Sequence, residues 1–187
     1  MDQRELVERA GRGDHDAFAV LVDASIARLE AVARLVLRDP ELARDAVQEA
    51  YLRAWRDLPG LRDPHRFDAW LHRLTVNACL DAARRRSRRP IEVELTPIRP
   101  PSVADDTGVV ADRDALDRGF RRLSTDHRAV LVLHYYLGLS VPAIAETLDV
   151  PLGTAQSRLG RALASLRVAL GDDAPPEPGT VQRGQTA

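Results

Sequence analysis

Apolar residues recur at helical spacing along most of the chain, and this periodicity limits the possible folds more than any other feature of the sequence. Apolar and polar residues do not alternate over any stretch long enough to predict a sheet, and the short alternating run at 91–95 lies between proline-bearing segments. Asp39-Pro40 and Asp63-Pro64 are helix-start signals, because Asp caps the first amide groups of a helix and Pro suits its first turn. The sequence therefore predicts an all-α protein.

Composition divides the chain into two small helical domains. Four helices with short connections indicate a compact N-terminal bundle, and they are predicted near 2–10, 16–37, 39–58 and 64–86. A segment with four prolines and most of an acidic block follows, which is typical of an extended linker. Helical spacing then resumes, first near 115–123 and 125–138. The expected organisation is an N-terminal domain at 1–87, a flexible linker at 88–112, a C-terminal domain at 113–170 and a mobile tail at 171–187.

Charge is distributed unevenly, although the net charge of the 187-residue chain is only −1. Residues 34–89 contain 13 Arg and 8 acidic residues, 90–120 contain 3 Arg and 7 acidic residues, and 121–170 contain 6 Arg and 3 acidic residues. Two basic segments thus flank an acidic one. This pattern is typical of a protein that contacts a polyanion at two places and keeps the segment between them away from it.

The segment LSVPAIAETLDVPLGTAQSRLGRALASL, at 139–166, predicts two helices joined by a tight turn at 149–153. The first helix carries an apolar stripe at helical spacing, formed by Val141, Ile144, Ala145 and Leu148. The second helix carries a matching apolar face, formed by Ala155, Leu159, Ala162, Leu163, Leu166 and Leu170. An ordinary helical hairpin would share this amphipathicity, but the motif S-x-x-x-I-A-x-x-L-x-V-P-x-G-T, with two arginines following, is more specific and predicts a helix-turn-helix.

The outer face of the second helix carries the donors that a DNA-reading helix needs. Thr154, Ser157 and Arg161 are expected to point outward, Arg158 lies on the flank, and Gln156 is expected near the edge of the core. The second helix of a helix-turn-helix lies in the major groove, where its early residues meet base edges. Arg can bind guanine in a bidentate manner, Gln can pair with adenine, and short hydroxyl side chains allow close approach.

The fourth helix ends in five arginines within six residues, at 84–89. A basic cluster complements the negative end of a helix dipole, but five like charges exceed that need and favour a polyanion as partner. Upstream, Phe67, Trp70 and Leu71 belong to a predicted core stripe, whereas Val76 and Leu80 are expected on the far side. Aromatic and basic residues together are what single-stranded DNA binding uses.

The third helix has two different faces. One is made of small residues that allow close packing, namely Ala43, Ala46, Val47, Ala50 and Ala54. The other gathers acidic, amide and leucine side chains, namely Asp45, Gln48, Glu49 and Leu52, with Arg56. Periodicity alone leaves two readings of the second face open, a solvated surface and a protein docking patch, and favours the solvated surface.

Motifs for catalysis and metal binding are not recognisable in the sequence. The five histidines have no H-E-x-x-H or other ligand spacing, and Cys79 is the single cysteine. The apolar stretches are broken by charges before they reach the length of a membrane span, and the N-terminus does not resemble a signal peptide. We therefore expect a cytoplasmic protein that is not inserted in a membrane, is not an enzyme and uses no cofactor or metal.

Three blocks in this order resemble the bacterial sigma factors of the extracytoplasmic-function (ECF) group. DPELARDAVQEAYLRAW, at 39–55, is similar to the polymerase-docking helix of that family. FDAWLHRLTVNACLDAARRRSR, at 67–88, is similar to its promoter-melting and minus-ten-reading helix. The segment at 123–167 is similar to its minus-thirty-five-reading domain. Two departures are Gln156, where many relatives have a basic residue, and Gly160 within the recognition helix.

The resemblance implies roles that the residues alone do not establish. It implies that core RNA polymerase and promoter DNA are the partners, and it adds an anti-sigma protein, which holds many members of the family. Polymerase contact is implied for Asp45, Gln48, Glu49 and Leu52. Minus-ten reading and melting are implied for His65, Arg66, Trp70, Arg73, Asn77, Arg84 and Arg85. Minus-thirty-five reading is implied for Thr154, Gln156, Ser157, Arg158 and Arg161.

A free-standing helix-turn-helix regulator is the alternative reading of the same sequence. Its N-terminal bundle would serve dimerisation or ligand sensing, and it would bind duplex DNA alone, usually as a dimer on repeated half-sites. A sigma factor would instead bind promoter DNA poorly alone and well together with core polymerase.

Overall fold

The structure, a computed structural model, describes residues 2–88 and 116–170, and the regular structure in both ranges is helical throughout. The prediction of an all-α protein with two helical parts is therefore confirmed. The run at 91–95, nearly all of the predicted linker at 88–112 and the whole predicted tail at 171–187 lie outside the described residues.

Four helices form the N-terminal part: α1 (Gln3–Ala10), α2 (His15–Leu37), α3 (Pro40–Asp57) and α4 (Phe67–Arg88). The carboxylate of Asp39 accepts a hydrogen bond from the amide of Leu42 at 3.0 Å, so the predicted start of α3 is confirmed. The carboxylate of Asp63 caps a short 3₁₀ turn, Pro64–Arg66, and α4 begins only after it. Asp63 therefore caps a helical turn as predicted, but this first turn is a 3₁₀ turn rather than part of the α-helix.

The C-terminal part contains a helix at 116–122 (α5), then α6 (Thr125–Leu131), a π-helical turn (Val132–Tyr136), α7 (Val141–Leu148) and α8 (Leu152–Leu170). The chain leaves α7 through Asp149, whose φ of 53° is left-handed, a conformation that Asp tolerates better than most residues. The prediction that the turn extends to Gly153 is wrong. Leu152 already begins α8, because the carbonyl of Pro151 accepts from the amides of Thr154 and Ala155.

Small residues bring α3 close to its neighbours. The predicted face of Ala43, Ala46, Val47, Ala50 and Ala54 is buried, and α3 packs against both α2 and α4. Val76 and Leu80, expected on the far side of α4 from its core stripe, are buried as well, at 0% and 6% exposed. The reason is tertiary: α4 also contacts α6 and α7, so apolar residues on both of its sides are covered.

The buried core is continuous across the two parts of the chain, from Leu6 in α1 to Ala162 in α8. On α8 only Ala155 and Ala162 are fully buried, and Leu159, Leu163 and Leu166 are half-buried against this core. The expectation that Leu170 belongs to the core face is not met, because this side chain at the last turn of α8 is 42% exposed.

Two glycines in helices of the C-terminal part allow a matched stability test. A Cβ added at Gly160 in α8 would meet no atom within 4 Å, whereas one at Gly119 in α5 would lie 2.9 Å from Cδ1 of Leu166. Gly160→Ala should raise the free energy of unfolding by up to about 1 kcal/mol, since Ala is the better helix former. Gly119→Ala should gain less or lose stability, because Leu166 must move. Urea unfolding of both variants measures the difference, and an equal change in both would contradict it.

Candidate nucleic-acid and polymerase interfaces

The outer face of α8 carries polar and basic side chains that are open to solvent. Gln156, Ser157 and Arg161 are exposed, and Thr154 and Arg158 are half-buried. The expectation that Gln156 lies at the edge of the core is therefore wrong: Ala155 is buried, but the neighbouring Gln156 is exposed. All of the predicted reading residues lie within the first three turns of one helix, which is the arrangement that entry into a major groove requires.

Arg161 is held against its own helix. Its Nε donates to the carbonyl of Ser157 and its Nη2 to the hydroxyl of Ser157, both at 3.2 Å. Nη1 of Arg158 lies 3.9 Å from a carboxylate oxygen of Asp126 in α6. Both pairings involve solvent-accessible side chains and are weak. The two guanidinium groups can therefore be redirected to a phosphate or a base edge at little cost.

A second polar stripe runs along α4. Trp70, Arg73, Asn77 and Arg84 are spaced by three, four and seven residues, so they share one face of the helix. The first three are half-buried and Arg84 is exposed, with Nη1 3.6 Å from a carboxylate oxygen of Asp81. An indole, an amide and two guanidinium groups in a row can stack on unpaired bases, bond to their edges and neutralise phosphates.

The other predicted minus-ten residues lie at the two ends of this stripe. His65 and Arg66 are exposed on the 3₁₀ turn that precedes α4, and Arg85 is exposed beside Arg84 at its C-terminal end. Arg66 also approaches Glu146 of α7, with an N–O distance of 3.6 Å. The structure thus groups the predicted residues along one edge of the N-terminal part.

The acidic face of α3 lies opposite its small-residue face. Asp45, Gln48 and Leu52 are exposed, and 69% of the Leu52 surface is open to solvent. Glu49 is half-buried and accepts a hydrogen bond from Arg53 at 2.8 Å. Arg53 also contacts Asp81 of α4 at 3.3 Å, so Glu49 is partly committed to a contact within the domain.

The arginines at the end of α4 do not all have the same role, which the sequence did not indicate. Arg86 forms an ion pair with Asp39, the N-cap residue of α3. Burial raises the pKa of Asp39, but the amide of Leu42 and the guanidinium of Arg86 outweigh this and hold the pKa below its usual value. Arg86 is therefore a structural residue in part, and the Asp-Pro start signal was the available hint, since an N-cap carboxylate attracts a nearby cation.

Cys79 and His72 are buried groups on α4. Cys79 is 0% exposed, and burial raises the pKa of its thiol to about 12, so the thiolate needed for redox reactivity is suppressed. The pKa of His72 is lowered by burial and then by the charge of Arg28, and its Nε2 is buried without a hydrogen bond among the described residues. Neither group belongs to the polar stripe on α4.

Comparison with known proteins accounts for both parts of the chain. The family descriptions "Sigma-70 region 2" and "Sigma-70, region 4" match residues 21–89 and 113–166. The ECF RNA polymerase sigma factor SigM of Mycobacterium tuberculosis is 38% identical over 167 residues, which are 89% of this chain and 84% of that protein. The ECF RNA polymerase sigma factor SigW of Bacillus subtilis is 27% identical over 90% of this chain and 97% of its own length.

Two solved structures have the same fold. CnrH, solved in complex with the cytosolic domain of CnrY, has a TM-score of 0.59 and 28% identity over 92% of this chain and 99% of that chain. RpoE of Bartonella quintana, solved with the anti-sigma factor NepR, has a TM-score of 0.60 over 84% of this chain and 98% of that chain. At 24% identity the second likeness shows the fold alone.

The chain belongs to the ECF group of RNA polymerase sigma factors. It is a transcription initiation factor that directs RNA polymerase to promoters, and its C-terminal helix-turn-helix is a DNA-binding unit. The free-standing regulator is not favoured, because region 2 accounts for the N-terminal bundle without a dimerisation or sensing role. Within 2–88 and 116–170, no helix is both long enough and apolar enough to cross a membrane.

Proposed function

We propose that this chain joins core polymerase through α3, captures the unpaired minus-ten strand along α4 and reads the minus-thirty-five element with α8. The observation that carries the proposal is the presence of two separate reading surfaces in one chain, the stripe at Trp70, Arg73, Asn77 and Arg84 and the outer face of α8. One fits single strands and the other fits a major groove.

The docking surface is proposed to be the exposed face of α3, formed by Asp45, Gln48, Glu49 and Leu52. An exposed leucine surrounded by acidic and amide side chains resembles the apolar centre and polar rim of a protein interface. Asp45 and Gln48 would then contact basic and polar groups of the polymerase around Leu52. Glu49 would contribute less, because Arg53 already neutralises much of its charge.

The minus-ten surface would bind the unpaired strand of the opened minus-ten element. Trp70 offers a ring for stacking, Asn77 offers an amide for a base edge, and Arg73 and Arg84 offer charge for phosphates. His65, Arg66 and Arg85 extend the same surface at its two ends. Opening one turn of duplex costs roughly 14 kcal/mol at about 1.4 kcal/mol per base-pair step. The polymerase would supply most of that energy, and the chain would stabilise the opened strand.

The minus-thirty-five surface would read duplex DNA with side chains from the first half of α8. Gln156 is exposed and is suited to an adenine edge, while Arg158 and Arg161 suit guanine or phosphate. Thr154 and Ser157 are short enough to let the helix approach the phosphates. Gly160 adds no side chain, so we expect no contact from this position beyond the backbone.

The proposal assigns no catalytic step and no cofactor to this chain, since nucleotide addition belongs to the polymerase. It places the protein in the cytoplasm, with the polymerase. It also includes a protein partner that occludes the chain, because the related CnrH is solved in complex with the cytosolic domain of CnrY.

Transcription in a purified system tests the proposal as a whole. Core RNA polymerase and genomic DNA fragments from the source organism are incubated with and without the full chain, and run-off products are mapped. We expect new, discrete start sites, because the chain supplies promoter recognition that core polymerase lacks. Tight binding of the chain alone to duplex DNA, with no new transcripts, would instead support the free-standing regulator.

The docking assignment is tested with Asp45→Asn combined with Leu52→Ala. Both side chains are exposed, so the fold should be retained, and loss of the apolar centre should weaken binding to core polymerase by tenfold or more, about 1.4 kcal/mol. Val20→Ala removes another exposed apolar side chain, on α2, and serves as the control. Fluorescence anisotropy of the labelled chain, titrated with core polymerase, gives the dissociation constants of the double variant and of the control. Equal affinity of the double variant and the control would remove the assignment.

The α8 assignment is tested with Arg161→Ala, with Arg167→Ala as a control on the same helix. Both arginines are exposed, but only Arg161 lies in the proposed reading half of α8. If Arg161 contacts a phosphate, the slope of log K against log salt for holoenzyme on promoter DNA should fall by about 0.9. Arg167→Ala should leave the slope unchanged. Identical slopes and affinities in both variants would exclude a DNA contact by Arg161.

A further inference from the structure

An acidic side chain lies on the face of α4 that carries the polar stripe. Asp81 follows Asn77 by four residues and precedes Arg84 by three, so the helical repeat places it beside both side chains. At about 100° per residue, Asp81 lies roughly 20° from Trp70 around the helix axis. It is half-buried, so its carboxylate is partly open to solvent. A surface proposed to bind a polyanion therefore includes a negative charge.

Two arginines on different helices share the carboxylate of Asp81. Nη1 of Arg84, one turn further along α4, lies 3.6 Å from Oδ1. Nη1 of Arg53 on α3 donates to Oδ2 at 3.3 Å. Arg53 is itself held, because its Nε donates to a carboxylate oxygen of Glu49 at 2.8 Å. Each oxygen of Asp81 thus has its own cation, and the cation on α3 is fixed from a second side.

The two arginines differ in their freedom to leave Asp81. The side chain of Arg53 is 25% exposed, and its contact with Asp81 ties α3 to α4. The side chain of Arg84 is 59% exposed, and at 3.6 Å its contact with Asp81 is longer than a hydrogen bond. An exposed ion pair of this kind contributes little, so Arg84 can turn to a phosphate at low cost. Asp81 then keeps Arg53 and stays in place.

A carboxylate fixed in this place acts on phosphates and on bases in opposite ways. It repels a phosphate, and the repulsion between two unit charges about 4 Å apart is worth roughly a fivefold change in affinity even in water. It does not repel an uncharged base, and it can accept a hydrogen bond from a base amino group. Arg73 and Arg84 both lie to one side of Asp81, about 80° and 60° away around the helix axis. A bound strand is therefore favoured with its phosphates on that side.

We propose that Asp81 is a specificity-determining residue of the minus-ten surface: it keeps the phosphates of the unpaired strand on the side of Arg73 and Arg84 and lets the bases face its own carboxylate. Arg53 is the positioning residue that holds this carboxylate in place. The inference rests on the proposed function, because it assigns an orientation to the strand that α4 is proposed to capture. Asp81 thereby favours bases over phosphates, which the arginines alone do not.

Two single strands of equal length separate phosphate binding from base binding. One is the non-template minus-ten strand of a promoter mapped by the run-off experiment. The other is the same strand with abasic sites, which offers phosphates without bases. Each labelled strand is titrated with purified holoenzyme, made from core polymerase and the full chain, at several salt concentrations. The ratio of the two dissociation constants measures the preference for bases.

Asp81→Asn removes the negative charge and keeps the shape of the side chain. We expect the abasic strand to bind about fivefold tighter, because a phosphate can approach, and the slope of log K against log salt to steepen by about 0.7 for one added phosphate contact. The minus-ten strand should gain less or lose affinity, so the preference for bases should fall by about threefold or more. Asp81→Glu, which keeps the charge, should retain most of the preference. An unchanged ratio in Asp81→Asn would overturn the proposal.

Arg53→Gln tests the positioning role, because it frees the carboxylate of Asp81 without removing its charge. We expect the minus-ten strand to bind more weakly while the abasic strand gains nothing, which distinguishes lost position from lost charge. A gain for the abasic strand would contradict this role. Glu41→Gln is the control, since Glu41 pairs with Arg44 at 3.3 Å in the exposed first turn of α3, away from the stripe. It removes the same charge as Asp81→Asn and should change neither constant.

Arg84→Ala separates this inference from the proposed function. It should weaken both strands alike and lower the salt slope by about 0.7, since it removes one phosphate contact. If Arg84→Ala changes the binding of neither strand, the minus-ten stripe is wrong, and the role of Asp81 falls with it. If Arg84→Ala weakens both strands and Asp81→Asn leaves their ratio unchanged, the stripe stands and the inference about Asp81 is overturned.

Discussion

Helix α4 packs against helices of both parts of the chain, and the rest of the structure depends on this packing. Helices α2, α3, α6 and α7 all contact α4, and Phe67, Leu71, Val76 and Leu80 of this helix are buried. The remaining narrow face carries Trp70, Arg73, Asn77 and Arg84. Because the helix is fixed on so many sides, these side chains are held in one row, and the surface proposed for the minus-ten strand is preorganised.

Arginine has three physical roles in this protein, and the partner of each side chain separates them. Arg128 is buried and serves as a hydrogen-bond donor to backbone carbonyls, where three fixed donors matter as much as charge. Arg38 and Arg86 join elements of the fold through Asp117 and Asp39. Arg161 and Arg85 are exposed at the proposed DNA surfaces. A chain that is nearly neutral overall can therefore present positive charge at two defined places.

The candidate site was predictable where it depends on one helix and unpredictable where it depends on two. The spacing of Asp45, Gln48, Glu49 and Leu52 places them on one face of α3 in any helical arrangement, and the structure keeps that face open. The pairing of Glu49 with Arg53, and of Arg53 with Asp81, arises only because α3 lies beside α4. The sequence therefore indicated which residues share a surface but not which of them are already paired with another side chain of the fold.

The sequence by itself determined the helices, the caps at Asp39 and Asp63, the small-residue face of α3 and the reading face of α8. These features depend on neighbours a few residues apart, so helical period and cap chemistry are enough to specify them. Only the tertiary structure decided that the two parts close on each other and that Arg128 lies against Val36, across 92 residues. The physical reason is that an exposed arginine and a buried one look alike in sequence, and only the packing of helices against each other shows which one meets an unpaired backbone carbonyl.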